Sequence, residues 1–266
     1  MSELFQVLIF FSVGLVTGTA SGLLGIGGGI IFVPALYFML PELNVAQGAL
    51  SYAAIATSLF AGSFSSSGAF LNHLHSKNVK IKEALLLSLG SVISALIVPL
   101  FVVQIDPDIL KYIFSVILLL VAGNMLINKN PEADFKIKLK LYYLTIFGLF
   151  VGAVSAISGL GGGILFVPIL IYLFAFDIKL AIGTSTLVVA LTMISSAISF
   201  ATIDSSGFVG NYHIGYINLF AGVLLGLGAV IGSRIGLKMM FKISTLSVKR
   251  IFSLFLIAAI IKMIFD

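Results

Sequence analysis

The 266-residue chain contains no cysteine, and only 9% of its residues are charged. The absence of cysteine excludes disulfide bonds, thiolate metal sites and cysteine nucleophiles. The scarcity of charge excludes a water-soluble domain, because the surface of such a domain needs about 25% charged residues. Hydrophobic residues make up 60% of the chain, and the mean hydropathy is +1.21. We therefore expect lipid to surround most of the chain, which is long enough for roughly ten helical segments.

Several functional classes lack the residues they need. The centres of the apolar segments contain no Asp or Glu, which argues against a proton relay through carboxylates. A phosphate-binding loop, an H-E-x-x-H motif and a plausibly placed Ser-His-Asp set are all absent, so neither an ATP-driven pump nor an enzyme is expected. The histidines have no partners at metal-ligand spacing, and we expect neither a metal site nor a cofactor. The net charge of +5 lies in short loops without a basic patch, so no nucleic acid partner is expected.

An internal repeat organises the chain. Ten residues of the first half recur in the second half at a constant offset of 134, and a further pair, Ala46 and Gly48, recurs one residue later at Ala181 and Gly183. We predict a first transmembrane repeat over residues 1–128, a cytoplasmic linker over 129–140 and a second transmembrane repeat over 141–266. The ten recurring residues are Gly14, Gly18, Ser21, Gly25, Gly27, Gly28, Gly29, Phe32, Val33 and Pro34.

Each half contains five apolar segments, which are too long and too continuously apolar for the strands of a membrane barrel. The predicted fold class is therefore all-α: a polytopic membrane protein of two inverted repeats, each with about five helical segments and a glycine-broken hairpin. The predicted segments cover about 4–24, 29–40, 45–71, 83–104 and 109–127, followed by 141–158, 163–176, 180–203, 214–236 and 248–265.

The basic residues predict the orientation in the membrane. If the loop after the third segment is cytoplasmic, all basic residues except Lys111 and Lys262 fall on the cytoplasmic side, as the positive-inside rule requires. Both chain termini then lie outside, and the two halves have opposite orientations. Inverted repeats are a building plan of secondary transporters, whose substrate sites lie where the halves meet. Some channels share this plan.

Three consecutive glycines interrupt each half, at residues 27–29 and 161–163. Glycine disfavours a regular helix by roughly 1 kcal/mol per residue, so each triplet predicts a break. The segment after the first break, 29–40, would span only about 18 Å of a roughly 30 Å hydrocarbon core. We therefore expect a hairpin, although whether the short segments cross fully or are re-entrant stays open. A structural kink with no substrate role is the alternative interpretation.

Backbone N–H groups at such a break would bind an anion through their donors and the helix dipole. The donors expected to be free are those of Gly29, Ile30 and Ile31 and their counterparts in the second half, whereas nearby hydroxyls could instead bond their own helix backbone. Thr57 and Ser58 are further, weaker candidates. The candidate anion-binding residues are Gly27, Gly28, Gly29 and Ile30 at the first break, Gly161, Gly162, Gly163 and Ile164 at the second, and Ser21, Ser155, Ser158, Thr184 and Ser185 as hydroxyl donors.

These residues resemble the sulfite exporter TauE/SafE family of membrane permeases. Each half opens with the pattern G-x3-G-x6-G-x-G-G-G-x4-P, from Gly14 to Pro34 and from Gly148 to Pro168, and the second half adds the family-like run 181–185. The first half departs from that run, because it has Ala49 and Leu50 in place of Thr184 and Ser185. The resemblance implies movement of sulfur-containing or carboxylate organic anions, and we expect the protein to lie in the cell inner membrane. It leaves the anion, the direction, coupling to Na⁺ or H⁺ and the oligomeric state open, with an anion channel and a non-transporting scaffold as alternatives.

Overall fold

A computed structural model describes residues 3–24, 27–127, 140–205 and 212–239, together with Ile257 and Ile261. The described chain is almost entirely helical. The helices are α1 (Glu3–Leu24), α2 (Gly29–Met39), α3 (Gln47–His75), α4 (Ile81–Val102), α5 (Pro107–Ile127), α6 (Tyr143–Ser158), α7 (Gly163–Pro168), α8 (Ile178–Thr202) and α9 (Leu219–Met239). A 3₁₀ turn follows α2 (Pro41–Leu43), a π-helical turn continues α7 (Ile169–Leu173), and strands β1 (His213–Ile214) and β2 (Ile217–Asn218) precede α9.

The structure confirms the predicted all-α, polytopic membrane architecture. Among the described residues, five helices are long and apolar enough to cross a membrane. The two segments that follow the glycine triplets are much shorter. Helix α2 has 11 residues, and the second segment, predicted over 163–176, ends at Leu173 after its π-helical turn. Both fall well below the roughly 20 residues of a full span.

The predicted helix over 214–236 begins too early. Helix α9 begins at Leu219, and the preceding residues form an antiparallel hairpin in which His213 pairs with Asn218. Gly215 turns the hairpin with φ +52, and a Cβ atom there would lie 2.2 Å from the carbonyl oxygen of Phe200. The close approach of the hairpin to the end of α8 therefore needs glycine at this position. The predicted segment 248–265 and the linker 129–140 lie outside the described residues, except for Ile257, Ile261 and Lys140.

Each first helix packs against the fourth helix of the other half. Helix α1 makes its most extensive contact with α9, and α6 makes its most extensive contact with α4. Glycines allow both contacts: a Cβ atom on Gly18 would lie 2.1 Å from the carbonyl oxygen of Ala229, and one on Gly148 would lie 2.0 Å from that of Leu87. The small-residue spacing of these glycines is thus explained by close helix packing. The exchange of partners interlocks the two halves.

Helices α3 and α8 form the seam at the centre of the molecule, and each also packs against the fourth helix of the opposite half. Helix α2 lies mainly on α3, and α7 lies mainly on α8. The seam contains little charge, since α3 has no Asp, Glu, Lys or Arg and α8 has only Lys179, in its first turn. This arrangement brings the two glycine breaks to a buried, nearly uncharged region between the halves.

Candidate functional site

The first break separates α1 from α2. Gly27 and Gly28 have φ angles of +79 and +81, which place the backbone in the left-handed region that favours glycine. Helix α2 starts at Gly29, and its N-cap residue Gly28 provides no side chain for capping. The glycines therefore let the chain leave one helix and start another inside a buried region, where Gly29 is buried and Ile30 is fully enclosed.

The second break repeats this geometry between α6 and α7. Gly159, Gly161 and Gly162 have φ angles of +70, +78 and +74, and α7 starts at Gly163. The surroundings of the two N-cap glycines also correspond. A Cβ atom on Gly28 would meet Phe32 and Thr17, and one on Gly162 would meet Phe166 and Val151. The two halves therefore build similar breaks, but Thr17 offers a hydroxyl where the second half has an apolar side chain.

The two breaks touch each other. A Cβ atom on Gly29 would lie 2.2 Å from the carbonyl oxygen of Gly159 and 2.7 Å from the Cα atom of Leu160. Only the absence of a side chain at Gly29 permits this backbone contact between residues 130 positions apart in the sequence. The contact is sealed by apolar packing, because Leu160 shares a buried cluster with Ile30, and the half-buried Ile164 packs against that cluster.

Met193 of α8 fills the space beside the breaks. Its Cε atom would lie 3.5 Å from a Cβ atom on Gly27, 2.0 Å from one on Gly161 and 2.6 Å from one on Gly62. The side chain is fully buried, and its Sδ atom lies 3.3 Å from the Oγ atom of Ser66. Three glycines and a serine thus surround a flexible thioether, which closes the gap between the two halves in this conformation.

The breaks offer fewer free donors than the sequence predicts. The N–H groups of Ile31 and Leu165 donate to the carbonyl oxygens of Gly28 and Gly162, over 3.1 and 2.9 Å, because the first turn after each glycine N-cap closes tightly. The sequence predicts that the N–H groups of these two residues are free donors, and this prediction is wrong. The two residues before Ile31 and the two before Leu165 have N–H groups that find no acceptor among the described residues. These four donors are on Gly29, Ile30, Gly163 and Ile164.

Two hydroxyl groups around the second break donate to backbone carbonyl oxygens, and a third has no partner among the described residues. Ser58 of α3 donates to the carbonyl oxygen of Gly159 over 2.9 Å, and Ser158 donates to the carbonyl oxygen of Val154 over 2.6 Å. Ser155 is completely buried, and its Oγ atom has no partner among the described residues. Since a buried, unpaired hydroxyl is costly, Ser155 is the side chain there with capacity for a ligand.

The first break has a similar unpaired hydroxyl on a residue that the sequence repeat does not single out. Thr17 is completely buried, its Oγ1 atom has no described partner, and its methyl group faces Gly28. Ser21, the predicted candidate, is also buried and lies one turn further along α1. Thr17 was overlooked because its counterpart, Val151, is apolar, so the repeat carries no signal for it.

Thr184 and Ser185 do not lie at the glycine breaks. The Oγ1 atom of Thr184 accepts a hydrogen bond from the backbone N–H of Lys80 in the loop between α3 and α4, and Ser185 donates to the carbonyl oxygen of Ile182. At 1.5 Å per residue, Thr184 is about 14 Å along α8 from Met193. The structure thus assigns these hydroxyls to the loop contact and the helix backbone, and it does not bring them together with the glycine breaks.

Comparisons with known proteins agree with this architecture. A probable membrane transporter protein of Methanocaldococcus jannaschii is 30% identical over 87% of this chain and 85% of its own length. Probable membrane transporter proteins of Haemophilus influenzae and Bacillus subtilis are 29% and 27% identical, and each match covers 97% of both chains. No solved structure matches the chain.

The family comparison covers both halves and both glycine breaks. A family model described as Sulfite exporter TauE/SafE matches residues 10–263. Together with the helical membrane architecture and the named relatives, this match makes the protein a multi-pass member of a membrane transporter family. The chain belongs to the sulfite exporter TauE/SafE family.

Proposed function

We propose that this transporter carries small organic or sulfur-containing anions, such as sulfite, sulfonates or carboxylates, and holds the anion between its two glycine breaks. The observation that carries the proposal is the backbone contact between Gly29 and Gly159. This contact joins the start of α2 to the break between α6 and α7. The first two residues of α2 and of α7 add four N–H donors without a described acceptor.

The electrostatics of this region suit an anion that must bind and leave. Backbone N–H groups at a helix start carry partial positive charge and attract anions. The adjoining seam helices contribute no formal charge near the breaks. Neutral hydrogen bonds contribute about 1 kcal/mol each, so the anion would not be trapped as it would be by a buried arginine. The hydroxyls of Thr17 and Ser155 are further donors at the two breaks.

In this conformation Met193 fills the space that the anion would occupy, so the transport cycle requires its side chain to move. Methionine has three rotatable bonds and adapts to irregular spaces, which makes it suited to repeated displacement. We infer an alternating-access cycle in which the bundles rock around the breaks and the thioether closes the gap when no anion is bound. The protein would lie in the cell inner membrane with both termini outside.

Counterflow in liposomes tests this cycle. Purified protein is reconstituted with unlabelled sulfite or acetate inside, and entry of the labelled anion is followed. A carrier gives a transient, saturable accumulation of label, because exchange through one site is faster than net flow. A channel with the same breaks as its filter gives equilibration without accumulation, and a non-transporting scaffold gives neither. Only the first result supports the proposal.

A thermal-shift screen narrows the substrate and the coupling ion. Wild-type protein is heated with sulfite, sulfate, methanesulfonate or acetate, with and without Na⁺. A ligand that binds only the folded state raises the unfolding temperature by mass action. If an anion stabilises the protein only when Na⁺ is present, Na⁺ coupling is indicated. If it stabilises the protein without Na⁺, the remaining mechanisms are H⁺ coupling and downhill flow. The absence of stabilisation by every anion, with intact folded protein, would contradict the proposed site.

A further inference from the structure

A second polar site lies at the opposite end of α2 from its glycine break. The ends of α2, α3 and α5 enclose an open pocket of about 240 Å³, well above the roughly 10–15 Å³ that one water needs. We call it the outer pocket, because it lies on the side predicted to be extracytoplasmic. Helix α2 separates it from the glycine break by about 16 Å. Its lining includes Tyr37, Gln47, Ser51, Asp108 and Lys111.

Lys111 is an unusual residue for its position. It is one of two basic residues that the predicted orientation places on the extracytoplasmic side, against the positive-inside rule. It also lies near the N-terminus of α5, where the helix dipole disfavours a cation. The side chain is half-buried in the pocket wall, and no described carboxylate oxygen lies within 4.0 Å of its Nζ atom. Residues that break several local rules at once are expected at functional sites.

The hydroxyl groups on the floor of the outer pocket donate to other protein atoms, so they do not compete for a ligand. The Oη atom of Tyr37 donates to the Oγ atom of Ser51 over 2.6 Å, and that Oγ atom donates to the carbonyl oxygen of Pro107 over 3.0 Å. Both hydroxyl hydrogens are therefore committed. The ring of Tyr37 also stacks on Phe114, with centroids 6.5 Å apart. The side-chain donors left for a ligand in this lining are the ammonium of Lys111 and the exposed amide of Gln47.

Asp108 limits the charge that the pocket can accept. Its exposed carboxylate belongs to the same lining, one helical turn before Lys111. Its presence follows from helix structure, because an acidic residue is favourable in a first turn, and Lys111 has no such explanation. A ligand with one negative charge can pair with Lys111, whereas a second charge would approach Asp108.

We propose that the outer pocket binds small organic monoanions, carboxylates or sulfonates, through the Lys111 ammonium and in preference to dianions. Such a site would collect the anion at the outer surface before it reaches the glycine breaks. The ligand class rests on the proposed function, whereas the site itself rests on Lys111 and its surroundings. The phosphate of an anionic lipid offers related chemistry, so the test must separate the two sources.

The rate at which the Lys111 amine is acylated measures anion binding to the outer pocket directly. Purified protein in nonionic detergent is treated with a membrane-impermeant N-hydroxysuccinimide ester, and acylation of each lysine is followed by mass spectrometry. Methanesulfonate or acetate should slow acylation of Lys111 in a saturable way, and sulfate at equal ionic strength should not. Lys140, an exposed lysine on the predicted cytoplasmic side, serves as the control and should react at an unchanged rate.

Four variants and one lipid control complete the test. Lys111→Gln should raise the Kd for methanesulfonate about tenfold or more, whereas Lys111→Arg should retain binding. Asp108→Asn should make sulfate protective. Equal protection of Lys111 and Lys140, an unchanged Kd in Lys111→Gln, or protection only by added phosphatidylglycerol would overturn the proposal. Gly29→Ala should keep the protection of Lys111 even if transport is lost, so the outer pocket and the proposed function can fail separately.

Discussion

The Oγ atom of Ser58 in the first half donates a 2.9 Å hydrogen bond to the carbonyl oxygen of Gly159 in the second half. At the offset of 135 that relates Ala46 and Gly48 to Ala181 and Gly183, Met193 takes the place of Ser58. One half therefore provides a hydroxyl that satisfies the backbone of a glycine break, and the other half provides a thioether that fills the gap. The two halves are alike in backbone but different in side-chain chemistry where they meet.

Removal of the Ser58 hydroxyl should destabilise the contact between the halves. Ser58→Ala leaves the buried carbonyl oxygen of Gly159 without this donor, at a cost of about 1–3 kcal/mol. We expect a lower unfolding temperature in detergent. Ser76→Ala is the matched control, because its hydroxyl donates to Asn72 at an exposed position and its loss should change little. Equal unfolding temperatures for Ser58→Ala and wild type would show that this bond does not hold the halves together.

Truncation of Met193 should open the gap beside the breaks. Met193→Ala removes a fully buried side chain, which costs about 2–5 kcal/mol, and leaves space next to Gly161. We expect a lower unfolding temperature and entry of larger sulfonates, measured by competition with sulfite for uptake. Met193→Leu conserves volume and should cost less than about 1.5 kcal/mol while still excluding the larger anions. An unchanged size limit in Met193→Ala would show that this side chain does not close the site.

The glycines of α1 that pack against α9 should be needed for folding. Gly18→Leu places a side chain against the backbone of Ala229, where a Cβ atom alone would lie 2.1 Å from the carbonyl oxygen. We expect α1 and α9 to separate, with loss of folded, monodisperse protein in size-exclusion chromatography. Folded Gly18→Leu protein with normal behaviour would contradict the packing role of this position.

The cysteine-free sequence allows a direct test of orientation. Gln104→Cys lies in the predicted outer loop, and Ser76→Cys lies in the predicted cytoplasmic loop. A membrane-impermeant maleimide should label Gln104→Cys in intact cells and should label Ser76→Cys only after permeabilisation, because the positive-inside rule places the lysine-rich loop in the cytoplasm. The reverse pattern would invert the predicted topology.

The sequence predicts the backbone of this protein better than its side-chain contacts. Glycine runs in apolar segments have a strong local cost, so the breaks before Gly29 and Gly163 could be placed within the chain. Residues 214–218 could not be recognised as a hairpin, because an apolar stretch next to an apolar helix resembles its first turn. The short hairpin depends on a contact with Phe200 that only the folded chain provides.

At the candidate site, too, the sequence predicts the backbone better than the side-chain contacts. The repeat identified both breaks, and the structure shows that they touch. Met193 could not be selected, since a methionine in an apolar helix is ordinary and only its contacts with Gly27, Gly62 and Gly161 distinguish it. Thr184 was selected from its resemblance and hydroxyl group, but its position depends on the loop at Lys80, which the local sequence does not reveal.

We propose that the backbone contact between the two breaks forms the transport site. Its most direct test is counterflow of labelled sulfite and acetate by Gly29→Ala beside Gly48→Ala. A Cβ atom on Gly29 would collide with Gly159, whereas one on Gly48 meets nothing within 4 Å. We expect little or no counterflow by the Gly29→Ala protein that folds, because the two breaks must shift apart to admit the Cβ atom, and normal counterflow by Gly48→Ala. Wild-type counterflow by folded Gly29→Ala would contradict it.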